Sequence, residues 1–90
     1  MIDFKLMVEE QDIRDVISFL VKNVNGYGYP QMDRFFCRHK FSLVGDGVFM
    51  RVFAEMENKG EIQWGEKIVV KKGPNWKEPK FVTQKKYGIE

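Results

Sequence analysis

Phe49-Met50-Arg51-Val52-Phe53-Ala54-Glu55-Met56-Glu57-Asn58-Lys59-Gly60-Glu61-Ile62 is the stretch that decides the fold. Phe49, Val52, Phe53 and Met56 recur at i, i+3, i+4 and i+7, the single apolar stripe of a helix predicted over residues 47–59. Asp46 stands where a side chain can accept from the free N–H groups of its first turn. Gly60 can take the positive φ that ends a helix, and Ile62 then starts extended chain against the same core. A helix is thus delivered through a glycine cap into a β segment.

Upstream, Ile2, Phe4, Leu6 and Val8 alternate with Asp3, Lys5 and Met7, which suits a short N-terminal strand, although the stretch could equally extend the next helix. From Glu9 the period changes. Ile13, Val16, Ile17, Leu20, Val21 and Val24 form a helical stripe, with Glu9, Glu10 and Asp12 in its first turn, Lys22 in its last and Asn25-Gly26 as its stop. Tyr27 to Pro30 reads as a turn into a second helix, with Pro30 at its first position and Met32, Phe35 and Phe36 on its apolar face. Phe41 to Gly45 is a short break.

Downstream the composition is β. Ile62 and Trp64 suggest a brief strand, and residues 67–72 a longer one around Ile68-Val69-Val70. Residues 80–84, around Phe81 and Val82, are expected to pair with it across the Gly73–Pro79 loop. The expectation is one α+β domain over residues 1–90, with three helices followed by a C-terminal β-hairpin. Its predicted core is Ile13, Val16, Ile17, Leu20, Phe35, Phe36, Val52, Phe53, Met56, Ile62, Val69 and Phe81.

Ninety residues that are 43% hydrophobic suffice for one core and leave no room for a second domain. No apolar run is long enough to span a bilayer, and charged residues interrupt the first ten positions as they would not in a signal peptide. One cysteine, Cys37, excludes an internal disulfide framework, so the cytoplasm is the expected compartment. The net charge of +2 hides a gradient: residues 1–66 carry eight Lys/Arg against eleven Asp/Glu, and residues 67–90 carry seven Lys against two Glu. A body of −3 followed by a segment of +5 suits a protein that holds a polyanion through its C-terminal part.

With the element order, the Phe49–Ile62 stretch resembles bacterial and archaeal winged-helix regulators. Their recognition helix and following strand often read V-x-R-x-L-x-x-L-E-x-x-G-x-I. Arg51, Glu57, Gly60 and Ile62 match that pattern, and Phe49, Phe53 and Met56 are apolar where it asks for apolar residues. The resemblance implies a winged helix-turn-helix whose hairpin is the wing, and a transcriptional regulator that binds double-stranded DNA, as a monomer or homodimer, without a cofactor. Arg51 and Asn58 are the base or phosphate partners expected on the recognition helix. Lys71, Lys72, Lys77 and Lys80 are expected to meet backbone phosphates, with Trp76 among them on a sugar or in a groove. Arg34, Arg38 and Lys40, beside His39, are expected as further phosphate contacts at the end of the second helix.

The outward residues Val48 and Met50, with acidic Asp46 and Glu55, depart from what a DNA reader needs. They support an alternative: a protein-interaction winged helix, such as a small viral or plasmid-encoded modulator of a host complex, with Val48, Met50 and Trp76 as anchors. An enzyme is not expected. Cys37 and His39 fall on different helical faces, no second His exists for a metal or triad site, and Gly26-Tyr27-Gly28 and Gly45-Asp46-Gly47 lack the lysine of a phosphate cradle.

Overall fold

The computed structural model describes residues 1–89. Its N-terminus is a helix and not a strand: α1 (Phe4–Glu10) starts where the Asp3 carboxylate accepts from the Leu6 N–H at 3.0 Å. The cap decides between two periods that Phe4, Leu6, Met7 and Val8 satisfy equally, and the helix then buries Met7 and Val8 together. Gln11 is extended and ends α1. Asp12 opens α2 (Ile13–Leu20) by accepting from the Arg14 N–H at 2.9 Å, so Glu9 and Glu10 belong to α1. The helix stops at Leu20, four residues before the expected end, which leaves Lys22 beyond it and Val24 85% exposed.

Tyr27 and Gly28, expected as a turn, form a two-residue strand, β1 (Tyr27–Gly28). It runs directly into α3 (Tyr29–Lys40), with Pro30 in the first turn. The predicted break after Lys40 contains one helical turn, α4 (Ser42–Gly45). Then comes α5 (Val48–Asn58), whose N-cap is Gly47 at φ 76°; Asp46 makes no capping bond. Its C-terminus closes as the sequence predicts. Gly60 is left-handed, its N–H donates to the Glu57 carbonyl at 3.1 Å, and the Glu61 N–H donates to the Met56 carbonyl at 3.0 Å. This is the paired bonding of a Schellman cap.

The chain then forms β2 (Ile62–Trp64) and β3 (Val69–Lys72). They pair antiparallel with Trp64 opposite Val70, and Tyr27 of β1 pairs with Val70 on the other side, giving the sheet order β1-β3-β2. The hairpin is therefore β2-β3, with residues 65–68 as its tip. Residues 80–84 do not supply a partner strand. Lys80–Thr83 is a helical turn, α6, that follows Pro79, and Phe81 and Val82 are both buried. Adjacent residues of a strand face opposite sides, so two consecutive buried positions favour the helix once Pro79 has removed a donor.

Residues 73–79 fold back over α2, held by Trp76. Its indole Nε1 donates to the Ser18 carbonyl at 3.0 Å, satisfying an acceptor in the last turn of α2. Close passage fixes the start of this segment: a Cβ on Gly73 would collide with the Gly60 carbonyl. A 3₁₀ turn at Lys86–Gly88 then clasps α1, with Gln11 donating to the Tyr87 hydroxyl at 2.6 Å and that hydroxyl donating to Glu10 at 2.9 Å.

One core joins these elements. Of the predicted members, Phe35, Val52 and Val69 are half-buried, and Met7, Val8, Val21, Met32, Phe49, Val70, Val82 and Ile89 are buried beside the rest. Val70 in place of Val69 is a one-residue shift of strand register, enough to exchange the two faces. Among the described residues no helix is long and apolar enough to cross a membrane.

Candidate nucleic-acid interface

Tyr29 opens α3 and gathers three elements. Its ring lies 5.6 Å from Phe49 and 5.2 Å from Phe53 on α5, and 5.6 Å from Trp64 on β2. The first turn of α3, the N-terminal half of α5 and the hairpin therefore meet at one aromatic junction. Around it the surface stays open: Met50 is 65% exposed, Trp64 44% and Ile68 60%, and Arg51 and Asn58 are exposed on α5. Arg51 and Asn58 are seven residues apart, so they share a helical face at a separation of about 10 Å.

Neither α3 nor α5 has a side-chain cap at its N-terminus. In α3 the Tyr29 N–H donates to the Ile68 carbonyl at 3.0 Å and Pro30 has no N–H, whereas the first N–H groups of α5 are open to an external acceptor. The acidic liability of α5 is smaller than its sequence suggests. Glu55 lies 2.7 Å from the Arg14 guanidinium and 3.4 Å from Lys59, and Arg14 also reaches Glu61 at 3.8 Å.

The hairpin tip carries backbone strain. Lys67 and Ile68 adopt φ 54° and 56°, and the Val69 N–H donates to the Glu66 carbonyl at 3.1 Å. Two left-handed residues inside such a four-residue turn have the type I′ geometry, which ordinarily selects Asn-Gly. A β-branched Ile in this conformation is an outlier that neighbours or function must sustain.

The expected lysine surface is dispersed. Lys71 shares the outer sheet face with Gln63, whereas Lys72 shares the opposite face with Ile62 and lies 4.2 Å from the Trp76 ring centre. Lys77 is in the 73–79 segment and Lys80 begins α6, so neither is on the hairpin. Trp76 is half-buried and engaged with α2, which removes it from the exposed anchors of either functional reading. Val48 is half-buried as well. Tyr29, Trp64 and Lys67 are absent from the expected site. The Ile62/Trp64 alternation followed by Gly65 is the signal that could have located the hairpin tip.

Arg34, Arg38 and Lys40 are exposed on α3. Arg34 and Arg38 border a separate recess with Tyr27, Phe35 and His39 rather than joining the α5 face. Cys37 is a half-buried free thiol. His39 packs against Phe35 at 4.7 Å with the ring planes inclined at 60°, and lies 6.0 Å from Phe4. Burial, then the neighbouring Arg38 charge, hold its pKa below the usual 6.5, with Asp3 opposing and Lys5 adding to the depression. His39 is therefore a weaker helix-end cation than its position suggests. Because folding favours its neutral form, its effect on stability is absent above about pH 6.5 and becomes unfavourable as pH falls below that value. Titration of the His39 ring protons by NMR should give a midpoint below 6.5 that moves upward in Arg38→Gln.

Compared with known proteins, the chain matches no family model, no curated protein and no solved structure.

Proposed function

We propose that the chain is a winged helix-turn-helix domain that binds double-stranded DNA, with α5 as the recognition helix and the β2-β3 hairpin as the wing. The observation that carries this reading is the junction at Tyr29, where α5 and the hairpin converge with their outer residues exposed. The order of α2, β1, α3, the short α4, α5 and the β2-β3 hairpin supports the fold assignment, as does the β1-β3-β2 sheet. Arg51 and Asn58 offer donors toward a groove, Lys67 offers charge at the wing tip, and the open N-terminus of α5 can receive a phosphate. Regulation of transcription is the corresponding role.

The experiment is fluorescence anisotropy with a labelled mixed-sequence duplex. Arg51→Ala/Lys67→Ala should weaken binding at least tenfold, about 1.4 kcal/mol, and reduce the salt slope by about one for each phosphate no longer neutralised. Lys77→Ala/Lys80→Ala should weaken it less, because those lysines lie off the hairpin. Equal reductions in the two pairs would reject the assigned surface. In a further variant, Lys67→Asn/Ile68→Gly should relieve strain of about 1–2 kcal/mol per left-handed residue and raise the unfolding midpoint while weakening DNA binding.

A second reading rests on the exposed Met50, Trp64 and Ile68, an apolar group suited to a protein partner. It predicts no salt-sensitive duplex binding.

A further inference from the structure

A second surface lies apart from the α5 face and does not depend on its function. The start of α1, the end of α2, β1 and the middle of α3 surround a cavity of about 500 Å³, within the ~300–1,000 Å³ of small-molecule sites. It adjoins a recess of about 210 Å³ with which it shares Tyr27, Phe35, Arg38 and His39. The walls are aromatic. Phe35 sits edge-on to Phe4 at 5.4 Å and packs tilted against His39 at 4.7 Å, while Phe19 and Tyr27 line the other sides.

The rim is cationic. Lys22 and Arg38 border the larger cavity and Arg34 the smaller, and among the described residues no acidic side chain lines either one. Within the same set, none of these three cations has an ion-pair partner within 4.0 Å among the described residues. Arg34 and Arg38 are also one helical turn apart on α3, a like-charge pair that an anion between them would relieve. Concave apolar walls with unneutralised cations at the mouth fit a ligand with an aromatic body and one anionic end.

We propose that this cavity binds an aromatic carboxylate, its ring held among Phe4, Phe19, Tyr27 and Phe35 and its carboxylate on Arg38, with Arg34 and Lys22 nearby. Neither a bare phosphate nor an uncharged arene satisfies both halves. A planar acid of about a dozen heavy atoms is of suitable size for the space.

The test is an NMR titration of the whole chain with three probes: 2-naphthoate, 2-naphthylmethanol and inorganic phosphate. The expected result is that 2-naphthoate shifts the amides of Leu20, Tyr27, Phe35 and His39 and binds at least tenfold more tightly than the alcohol. Phosphate at equal concentration should leave those amides unmoved. Arg38→Gln, a change at an exposed position, should keep the spectrum of a folded protein and bind acid and alcohol equally. The proposal is overturned if 2-naphthoate shifts no cavity amide, if the alcohol binds as well as the acid, if phosphate reproduces the shifts, or if Arg38→Gln retains the preference.

Discussion

Phe36→Ala is expected to lower the unfolding free energy by about 3–5 kcal/mol, the range for a fully buried aromatic that leaves a cavity. Phe36 has no exposed surface, and its ring lies 5.3 Å from Phe35 and 5.1 Å from Phe49. Through Phe49 the contact runs to Phe53 at 5.9 Å and on to Trp64 at 5.5 Å, so Phe36 joins the middle of α3 to the aromatic chain that Tyr29 enters from its first turn and that supports α5 and the hairpin. Removing it should loosen all three elements together. Small domains have about 5–15 kcal/mol in total, so the change should appear as a large fall in the urea midpoint. Met50→Ala, on the exposed face of α5, should move stability by no more than about 0.5 kcal/mol. A loss at Met50→Ala as large as that expected at Phe36→Ala would mean that α5 faces the other way.

The next largest effect is expected at Trp76. Trp76→Ala should cost about 3 kcal/mol, the lower end of the range for large aromatics, because the ring is only half-buried. Three interactions disappear together there: apolar packing on the core, the indole bond to the Ser18 carbonyl at 3.0 Å, and the Lys72 ammonium 4.2 Å from the ring centre. Trp76→Phe separates them by keeping an apolar ring while leaving the Ser18 carbonyl without its donor, and should cost about 1 kcal/mol. Lys72→Ala should cost less than either, since an exposed cation–π contact is worth about 0.5–1 kcal/mol. If Trp76→Ala leaves stability unchanged but abolishes DNA binding, Trp76 is a ligand contact and the anchoring described above is wrong.

The parts of the fold that were legible are those in which several local signals agree. On α5 the stripe of Phe49, Phe53 and Met56, the Gly60 cap and the apolar Ile62 all require the same backbone. The N-terminus was ambiguous because Phe4, Leu6 and Val8 alternate while Phe4, Met7 and Val8 follow a helical period; two aspartates, Asp3 and Asp12, decide the matter through side-chain caps. Strand β1 holds two residues, too few for any period, and exists because Val69 and Val70 offer it a partner more than forty positions away. Residues 80–83 misled for a different reason. Phe81 and Val82 have strand-like composition, but tertiary burial of both overrides that preference.

Much less of the candidate site was legible. Summed charge finds the basic segment but cannot see that Lys71 and Lys72 leave opposite faces of β3, or that the chain turns back after Gly73. That Arg51 and Asn58 lie exposed on one helix was legible, because a single apolar stripe places both outside it. The Tyr29 junction and the strained Lys67-Ile68 tip depend on contacts between elements distant in sequence, which no local pattern encodes.

The central claim, that the exposed α5 face and hairpin tip hold duplex DNA, is tested most directly by measuring wild-type affinity for a mixed-sequence duplex at salt concentrations from about 50 to 200 mM. The expected result is a linear fall of log K with log salt at a slope of about −0.9 per neutralised phosphate, made shallower by Arg51→Ala/Lys67→Ala. Absence of binding at about 50 mM salt, or binding that neither salt nor the double substitution alters, would contradict it.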